Sequence, residues 1–211
     1  MGTAERRERE KHRRKNEIID AAERVFFSKG LEQTTMDEVA LEAELSKGTL
    51  YLYFKSKEDL YLAINERGVK LLQNIFKEAL SRESYGLDKV RALGRAYFEY
   101  AQKYSDYFNA MLYYETREFD SSDADSCAQA CEKIGTVTLK MVTEAIRTGI
   151  EDGTIRPELD PFKTAVVLWG QSSGVVQVHA LKGRHSQDKH DLDPEEIVQV
   201  SLEMMSRSLQ R

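Results

Sequence analysis

Apolar residues in this chain recur every three or four positions, the spacing of one helix face, and almost never alternate as in a strand. Ile18, Ala22, Val25 and Phe26, with Ile19 alongside, predict an amphipathic helix over residues 12–28. Lys29-Gly30 ends it, with the glycine in the C-cap role. Thr35 stands three residues before Glu38, a capping box in which each side chain satisfies an orphan N–H of the next helix. That helix buries Met36, Val39, Ala40 and Ala43 and stops near Glu44. Ser46 caps a third helix over 47–54. Ser56 and Asp59 open a long fourth helix, lined by Leu60, Ile64, Leu71, Leu72, Ile75 and Phe76.

The same period continues through 87–104, 106–118, 126–150, 162–182 and 195–209. Asp160-Pro161 and Asp193-Pro194 are start signals, an aspartate N-cap followed by proline where no N–H is needed. Gly153 and Pro157 mark a turn, and residues 183–193 read as a polar loop. The expectation is an all-α chain of about nine helices.

Composition narrows the class. Only three prolines and twelve glycines interrupt the pattern, and 41% of the 211 residues are hydrophobic, enough for one large core or two modest ones. No run of about 18 apolar residues is present, so no span is expected. The first residues are charged, unlike a secretory signal. Cys127 and Cys131 are too few for a disulfide scaffold and fit a reducing cytoplasm.

The net charge of −5 says less than its distribution. Residues 1–15 carry seven basic and three acidic groups, a net of +4, and residues 45–57 carry Lys47, Lys55 and Lys57 with no acid. Basic spots on an acidic chain are compatible with nucleic-acid binding without requiring it. The arm 3–15 admits two readings, an element that tracks phosphate or the minor groove and a solvated helix extension.

The stretch SKGTLYLYF, residues 46–54, sharpens this. On a helical wheel Leu50 and Phe54 share one face and read as core anchors. Gly48, Thr49 and Leu52 lie opposite, flanked by Lys47, Tyr51 and Tyr53. Two short helices joined by a tight turn form a helix-turn-helix whose second helix enters the major groove. Such a face needs small residues, hydrogen-bond donors and apolar groups that meet thymine methyls. Tyr53, Lys57 and the helix starts at Thr35 and Ser56 supply donors for phosphate. An ordinary helical hairpin satisfies the same pattern.

Residues 30–64, GLEQTTMDEVALEAELSKGTLYLYFKSKEDLYLAI, resemble the DNA-binding domain of the TetR family of bacterial transcriptional regulators. The matching residues are Gly30, Thr34-Thr35, Val39-Ala40, Ala43, Ser46, Gly48-Thr49-Leu50-Tyr51, Tyr53-Phe54 and Ser56-Lys57-Glu58. The resemblance implies a three-helix DNA-binding domain at 1–58, its motif at about 34–53. A helix from 56 links it to a ligand-binding and dimerisation domain at 59–211. It implies a homodimeric repressor on a palindromic operator, released by a small-molecule effector. Gly48, Thr49, Tyr51, Tyr53 and Lys57 carry over as DNA contacts, and Lys47 contributes to operator choice; Thr35, Ser46 and Leu52 join them from the helical pattern. One departure stands out. The family's turn usually has glycine where this chain has Glu44. If the turn there needs positive φ, a non-glycine residue costs about 1 kcal/mol.

In the second half, Tyr97, Tyr100, Tyr104, Tyr107, Met111 and Tyr114 form one stripe if the helix is continuous, with Ser105-Asp106 as a possible break. Such a stripe is either plain core or the wall of an apolar pocket with hydroxyl handles. Trp169 joins it, with Glu115, Arg117, Gln171 and His179 as further candidates. An apolar or amphipathic ligand fits that lining. The small residues of WGQSSGVV, 169–176, and the second apolar stripe of the last helix point to self-association through Trp169, Ser173, Val176, Ile197, Val200 and Met204.

No phosphate loop, nucleotide fingerprint or nucleophile elbow is present, so no cofactor and no catalysis are expected. His185 and His190, and Cys127 and Cys131 with Asp123 and Asp125, have spacings that a metal site tolerates, but they read first as a polar loop and two soft apolar side chains, and no metal site is expected. The alternatives to a ligand-released repressor are a ligand-independent DNA-binding protein of chromosome organisation or division, and a helical enzyme.

Overall fold

The computed structural model describes residues 2–123, 126–183 and 193–211, and among these the chain forms nine helices and no strand. They are α1 (Thr3–Gln33), α2 (Met36–Glu42), α3 (Lys47–Tyr51), α4 (Lys57–Ser81), α5 (Gly86–Lys103), α6 (Ser105–Glu115), α7 (Cys127–Glu151), α8 (Pro161–Gly183) and α9 (Pro194–Leu209). The all-α expectation of about nine helices therefore holds.

The largest boundary difference is at the first helix. The predicted 12–28 becomes Thr3–Gln33, because the arm joins the helix and because one last turn follows Gly30. Gly30 adopts φ 80°, ψ 166° and interrupts the helical backbone, which only glycine does without strain. Its carbonyl accepts a 2.7 Å bond from Thr34 Oγ1.

The helices gather into two compact units. The first holds α1–α3, α4 as far as Gly68, α6 from Asp106, and the start of α7 to Lys133. Its core contains Ile18, Ala22, Phe26, Val39, Leu50 and Phe54, all under 5% exposed. Cys127 and Cys131 are buried in the same core. Burial pushes both thiols up to about 12, so they remain protonated at neutral pH. The Cys131 thiol donates to Leu62 O at 3.3 Å, and Asn65 Nδ2 donates to Cys131 Sγ at 3.2 Å.

The second unit holds α4 from Val69, α5, α7 from Ile134, α8 and α9. The start of α5 crosses α7 at two glycines. A Cβ on Gly86 would lie 1.9 Å from Gly149 N, so α5 tolerates no side chain at that point. The Asp152 carboxylate accepts from Gly86 N at 2.7 Å and Thr154 N at 3.0 Å, which fixes the turn after α7. Gly153 in that turn has φ 78°. Asp160 caps α8 by accepting from Lys163 N, and Asp193 caps α9 by accepting from Glu195 N, as the two Asp-Pro pairs predict. The carbonyl of Leu209 accepts from Arg156 N at 3.0 Å, and Ile155 bridges Gln210, so α9 ends against the turn after α7.

No helix among the described residues is long and apolar enough to cross a membrane. His185, His190 and Asp125 lie outside the described residues, as does most of the predicted loop 183–193.

Candidate nucleic-acid interface

The capping box forms as the spacing predicts. Thr35 Oγ1 accepts from Glu38 N at 3.3 Å, and Glu38 Oε2 accepts from Thr35 N at 2.9 Å. Lys29 pairs with the same carboxylate. Lys29, then the Thr35 N–H and hydroxyl, hold the Glu38 carboxyl down at about 2. Helix α2 is thus fixed at its start to the end of α1.

Its end carries the departure from the glycine pattern. Glu44 has φ 54°, the one positive φ on a non-glycine among the described residues. Leu45 N donates to Ala40 O at 2.9 Å and Glu44 N to Leu41 O at 3.1 Å. This is the paired 6→1 and 5→2 closure of a Schellman turn, with Glu44 in the left-handed position that glycine usually fills. The side chain is solvated and the turn keeps its geometry, at a cost of about 1 kcal/mol.

Ser46 then caps α3, its Oγ accepting from Thr49 N at 3.1 Å and lying 2.8 Å from Thr49 Oγ1. The α-helix proper covers five residues rather than the expected 47–54. Leu52 N bonds Thr49 O and Tyr53 N bonds Leu50 O, i→i+3 closures that tighten the last turn before Phe54. Leu50 and Phe54 are fully buried anchors. Opposite them Leu52 is 82% exposed and Tyr51 44%. Gly48 and Lys47 are exposed, and Thr49 and Tyr53 are half-buried. The nearest atom a Cβ on Gly48 would meet is Ser46 Oγ at 3.9 Å, so the outward face is flat there.

Cations at this surface have acidic neighbours that the sequence reading missed. Lys47 Nζ lies 2.7 Å from Asp37 Oδ1, and that carboxylate raises the ammonium pKa. Lys55 Nζ lies 3.0 Å from Asp123 Oδ2, while Lys57 Nζ donates to a backbone carbonyl, Glu32 O, at 3.5 Å. Asp37 occupies the first turn of α2, where an acid is expected for the helix dipole alone. Ser56 Oγ accepts from Asp59 N, starting α4 as predicted.

The residues of the tyrosine stripe separate. Tyr104 has φ −124°, ψ 48° and breaks the helix, so α5 and α6 are distinct. Tyr97 and Tyr100 are buried in the second unit, where Tyr97 Oη lies 2.7 Å from Ser173 Oγ. Tyr104 is half-buried, its ring 5.7 Å from that of Tyr100. Tyr107, Met111 and Tyr114 belong to the first unit. There Tyr114 stacks on Phe119 at 5.7 Å, Met111 is buried, and the Arg117 guanidinium lies over the Tyr113 ring. Glu115 is half-buried. Tyr107 Oη donates to Glu23 Oε1 at 2.8 Å, and Arg67 pairs with both Glu23 and Asp20. The legible signal for this network was a glutamate beside Ala22 and Phe26 on the buried side of α1.

On α8 and α9, Trp169, Val200 and Met204 are exposed, joined by Phe162, Val167 and Val178. Gln171 is exposed, while Val176 and Ile197 are half-buried. Ser173 is turned inward to Tyr97. The His179 side chain lies outside what the structure describes.

Comparison with known proteins agrees with this geometry. The model of bacterial regulatory proteins of the tetR family matches residues 18–64, and the tetracyclin repressor-like C-terminal domain matches residues 90–205. The helix-turn-helix transcriptional regulator YhgD of Bacillus subtilis (strain 168) is 30% identical over 74% of this chain and 78% of its own length. The regulator FadR of Bacillus subtilis, solved with stearoyl-CoA, superposes with a TM-score of 0.66 at 20% identity, covering 92% of this chain and 98% of that one. AibR, solved with isovaleryl coenzyme A and operator DNA, superposes with a TM-score of 0.64 at 22% identity, covering 90% and 97%. The two structures show a shared fold. The chain belongs to the TetR family and is a DNA-binding transcriptional regulator of that family.

Proposed function

We propose that this protein is a homodimeric repressor that holds a palindromic operator through α3 and leaves it when a small amphipathic molecule binds. The observation that carries the reading is the split of α3 into a buried face, Leu50 and Phe54, and a flat outward face. Gly48, Thr49, Tyr51 and Leu52 meet base edges and thymine methyls, with Lys47 choosing among base pairs. Thr35, Ser46, Tyr53 and Lys57 position the helix on phosphates.

Residues 1–58 form the DNA-binding part and 59–211 the effector and dimer part, with α4 as the single helix common to both. The exposed apolar residues Trp169, Val200 and Met204 supply a self-complementary surface. The effector site draws on the tyrosines of α5, which are buried yet carry hydroxyls, a combination suited to an apolar body with a polar end. Acyl-CoA thioesters are the first effectors to test, since FadR and AibR were solved with such ligands. An effector that prefers the state with wrongly spaced recognition helices weakens DNA affinity by the same coupling energy.

Selection from random duplex DNA, repeated with acyl-CoA thioesters of short and long chain, tests this. The expected result is a palindromic site whose retention falls in the presence of one chain-length class. Retention of no site over random DNA at moderate salt overturns the reading. A selected site that no effector releases favours a ligand-independent DNA-binding role.

A further inference from the structure

The family match begins at residue 18, yet α1 begins at Thr3. Residues 3–15 form a helical arm about 18 Å long, and every side chain from Ala4 to Arg13 is exposed. The first fully buried residue is Ile18. So short a helix without core contact is marginal in water. Here i,i+3 pairs support it, Arg13 with Glu10 at 2.7 Å and Arg14 with Glu17 at 2.9 Å.

Charge and position set the arm apart. It carries +4 on a chain of −5, so the other residues sum to −5 − 4 = −9. At 100° per residue its cations form two stripes, Arg6, Arg9, Arg13 and Arg7, Lys11, Arg14, while Glu5 and Glu8 share the remaining side. Residues 3–11 carry four basic and three acidic groups and residues 13–15 three basic and no acidic ones, so the excess is greatest toward the root of the arm. The arm's root lies beside the recognition element, with Lys15 Nζ 5.5 Å from the centroid of Phe54, the residue that closes the turn after α3. Two of the three lysines around α3, Lys47 and Lys55, already face carboxylates.

We propose that the helical arm 3–15 is a second DNA-binding element, gripping phosphates that flank the segment read by α3. It rests on the repressor reading above, because it needs α3 seated on a duplex. A body of net −9 is repelled by a duplex as a whole, and the arm places cations where that repulsion is reversed. Its contacts are to phosphate, so they extend the footprint and raise the salt dependence without adding base preference.

The test compares the full-length protein with the variant Arg6→Gln, Arg7→Gln, Lys11→Gln, which keeps helix-forming side chains. Each binds two duplexes carrying the selected operator, one trimmed to the selected bases and one with about ten further base pairs on each side, one helical turn. The wild type is expected to bind the longer duplex more tightly and with a steeper salt dependence. The variant loses that advantage. Its slope of log K against log salt falls by about 2.7 per protomer, 0.9 for each of three phosphates, while its base preference and far-UV circular dichroism stay unchanged. Equal slopes for both proteins on the longer duplex overturn the arm proposal and leave the repressor reading standing. An equal loss on both duplexes also overturns it. Failure of the wild type to select any site sinks the repressor reading itself. Cosedimentation with anionic phospholipid vesicles that the variant alone loses, at unchanged DNA slopes, assigns the arm to a membrane and overturns the proposal.

Discussion

The hydroxyl of Tyr107 on α6 donates a 2.8 Å hydrogen bond to the carboxylate of Glu23 on α1. Arg67 on α4 reaches the same carboxylate at 3.0 Å, so three helices of the first unit meet on one acid. Tyr107 also packs directly on Gly68, where a Cβ would lie 2.7 Å from Tyr107 Cβ and 2.8 Å from its ring Cδ1. Burial raises the Glu23 pKa against the opposing pull of Tyr107 and Arg67. Burial, then Glu23, pushes the Tyr107 phenol up to about 12.

Tyr107→Phe keeps the ring and deletes the donor. A hydrogen bond to a charged group contributes about 1.5–3 kcal/mol, and the partial exposure of this pair places the expected loss at the lower end of that range. The sign with pH follows from Glu23. Once Glu23 is protonated in the folded state, the phenol no longer faces a charge. The gap in Tm between wild type and variant should therefore be widest at neutral pH and narrow as pH falls through the raised folded pKa of Glu23, already above the unfolded value of about 4.3. Calorimetry across that range decides it, and a constant gap refutes the charge assistance.

Glu44→Gly places glycine at the left-handed position of the Schellman turn. Relief of the strained φ offsets glycine's greater unfolded freedom, for a net gain of at most about 0.5 kcal/mol, or about 1–2 °C in Tm. Because the backbone already adopts the left-handed conformation, operator affinity should move by less than about twofold, under 0.4 kcal/mol. A large change in affinity would mean that the turn, and with it the setting of α3, differs from that described.

The Glu38 carboxyl, held at about 2 by Lys29 and the Thr35 donors, is depressed below its unfolded value. A depressed carboxylate contributes stability that is present above about 4.3 and lost as pH falls through about 2. Glu38→Gln should lower Tm by a constant amount at pH 5–7 and by a shrinking amount below that. Added salt should also reduce the difference, since the Lys29 partner is partly solvated. Melting curves at three pH values and two salt concentrations are sufficient.

Met204→Lys and Val200→Asp test the proposed dimer surface. Both side chains are more than half exposed in the single chain, so neither substitution disturbs its core. Each should leave the helical content intact and raise the dimer dissociation constant by at least about tenfold, 1.4 kcal/mol. Sedimentation equilibrium reads the outcome, and an unchanged mass rules out this face.

The sequence made the helices legible wherever caps and periodicity agreed, as at Thr35-Glu38, Ser46, Ser56-Asp59 and the two Asp-Pro pairs. It also separated the two faces of α3 correctly, because Leu50 and Phe54 share a phase that no other spacing provides. The tyrosine stripe was less legible. Its spacing runs through Tyr104 without a fault, and only Ser105-Asp106 signalled the break that the backbone dihedrals of Tyr104 make. Periodicity reports a face only as long as the helix axis continues. The Glu23, Arg67 and Asp20 cluster was hidden for a related reason, since each charge is ordinary on its own helix and acquires meaning only when α1 and α4 pack together. Asp37 was hidden too, because an acid in a first turn is what the helix dipole alone would place there.

The glycines divide by what surrounds them. At Gly86 a single added methyl would strike the backbone of Gly149, and at Gly149 it would strike Ile155. At Gly135, in the same helix as Gly149, it would meet nothing within 4 Å. Neutral drift can therefore pass through Gly135, where alanine even favours the helix, but is closed at Gly86, where the obstacle is backbone. At Gly149 the obstacle is the Ile155 side chain, so drift there must carry Ile155 with it. The contact of α5 on α7 is in that sense a ratchet with one fixed tooth.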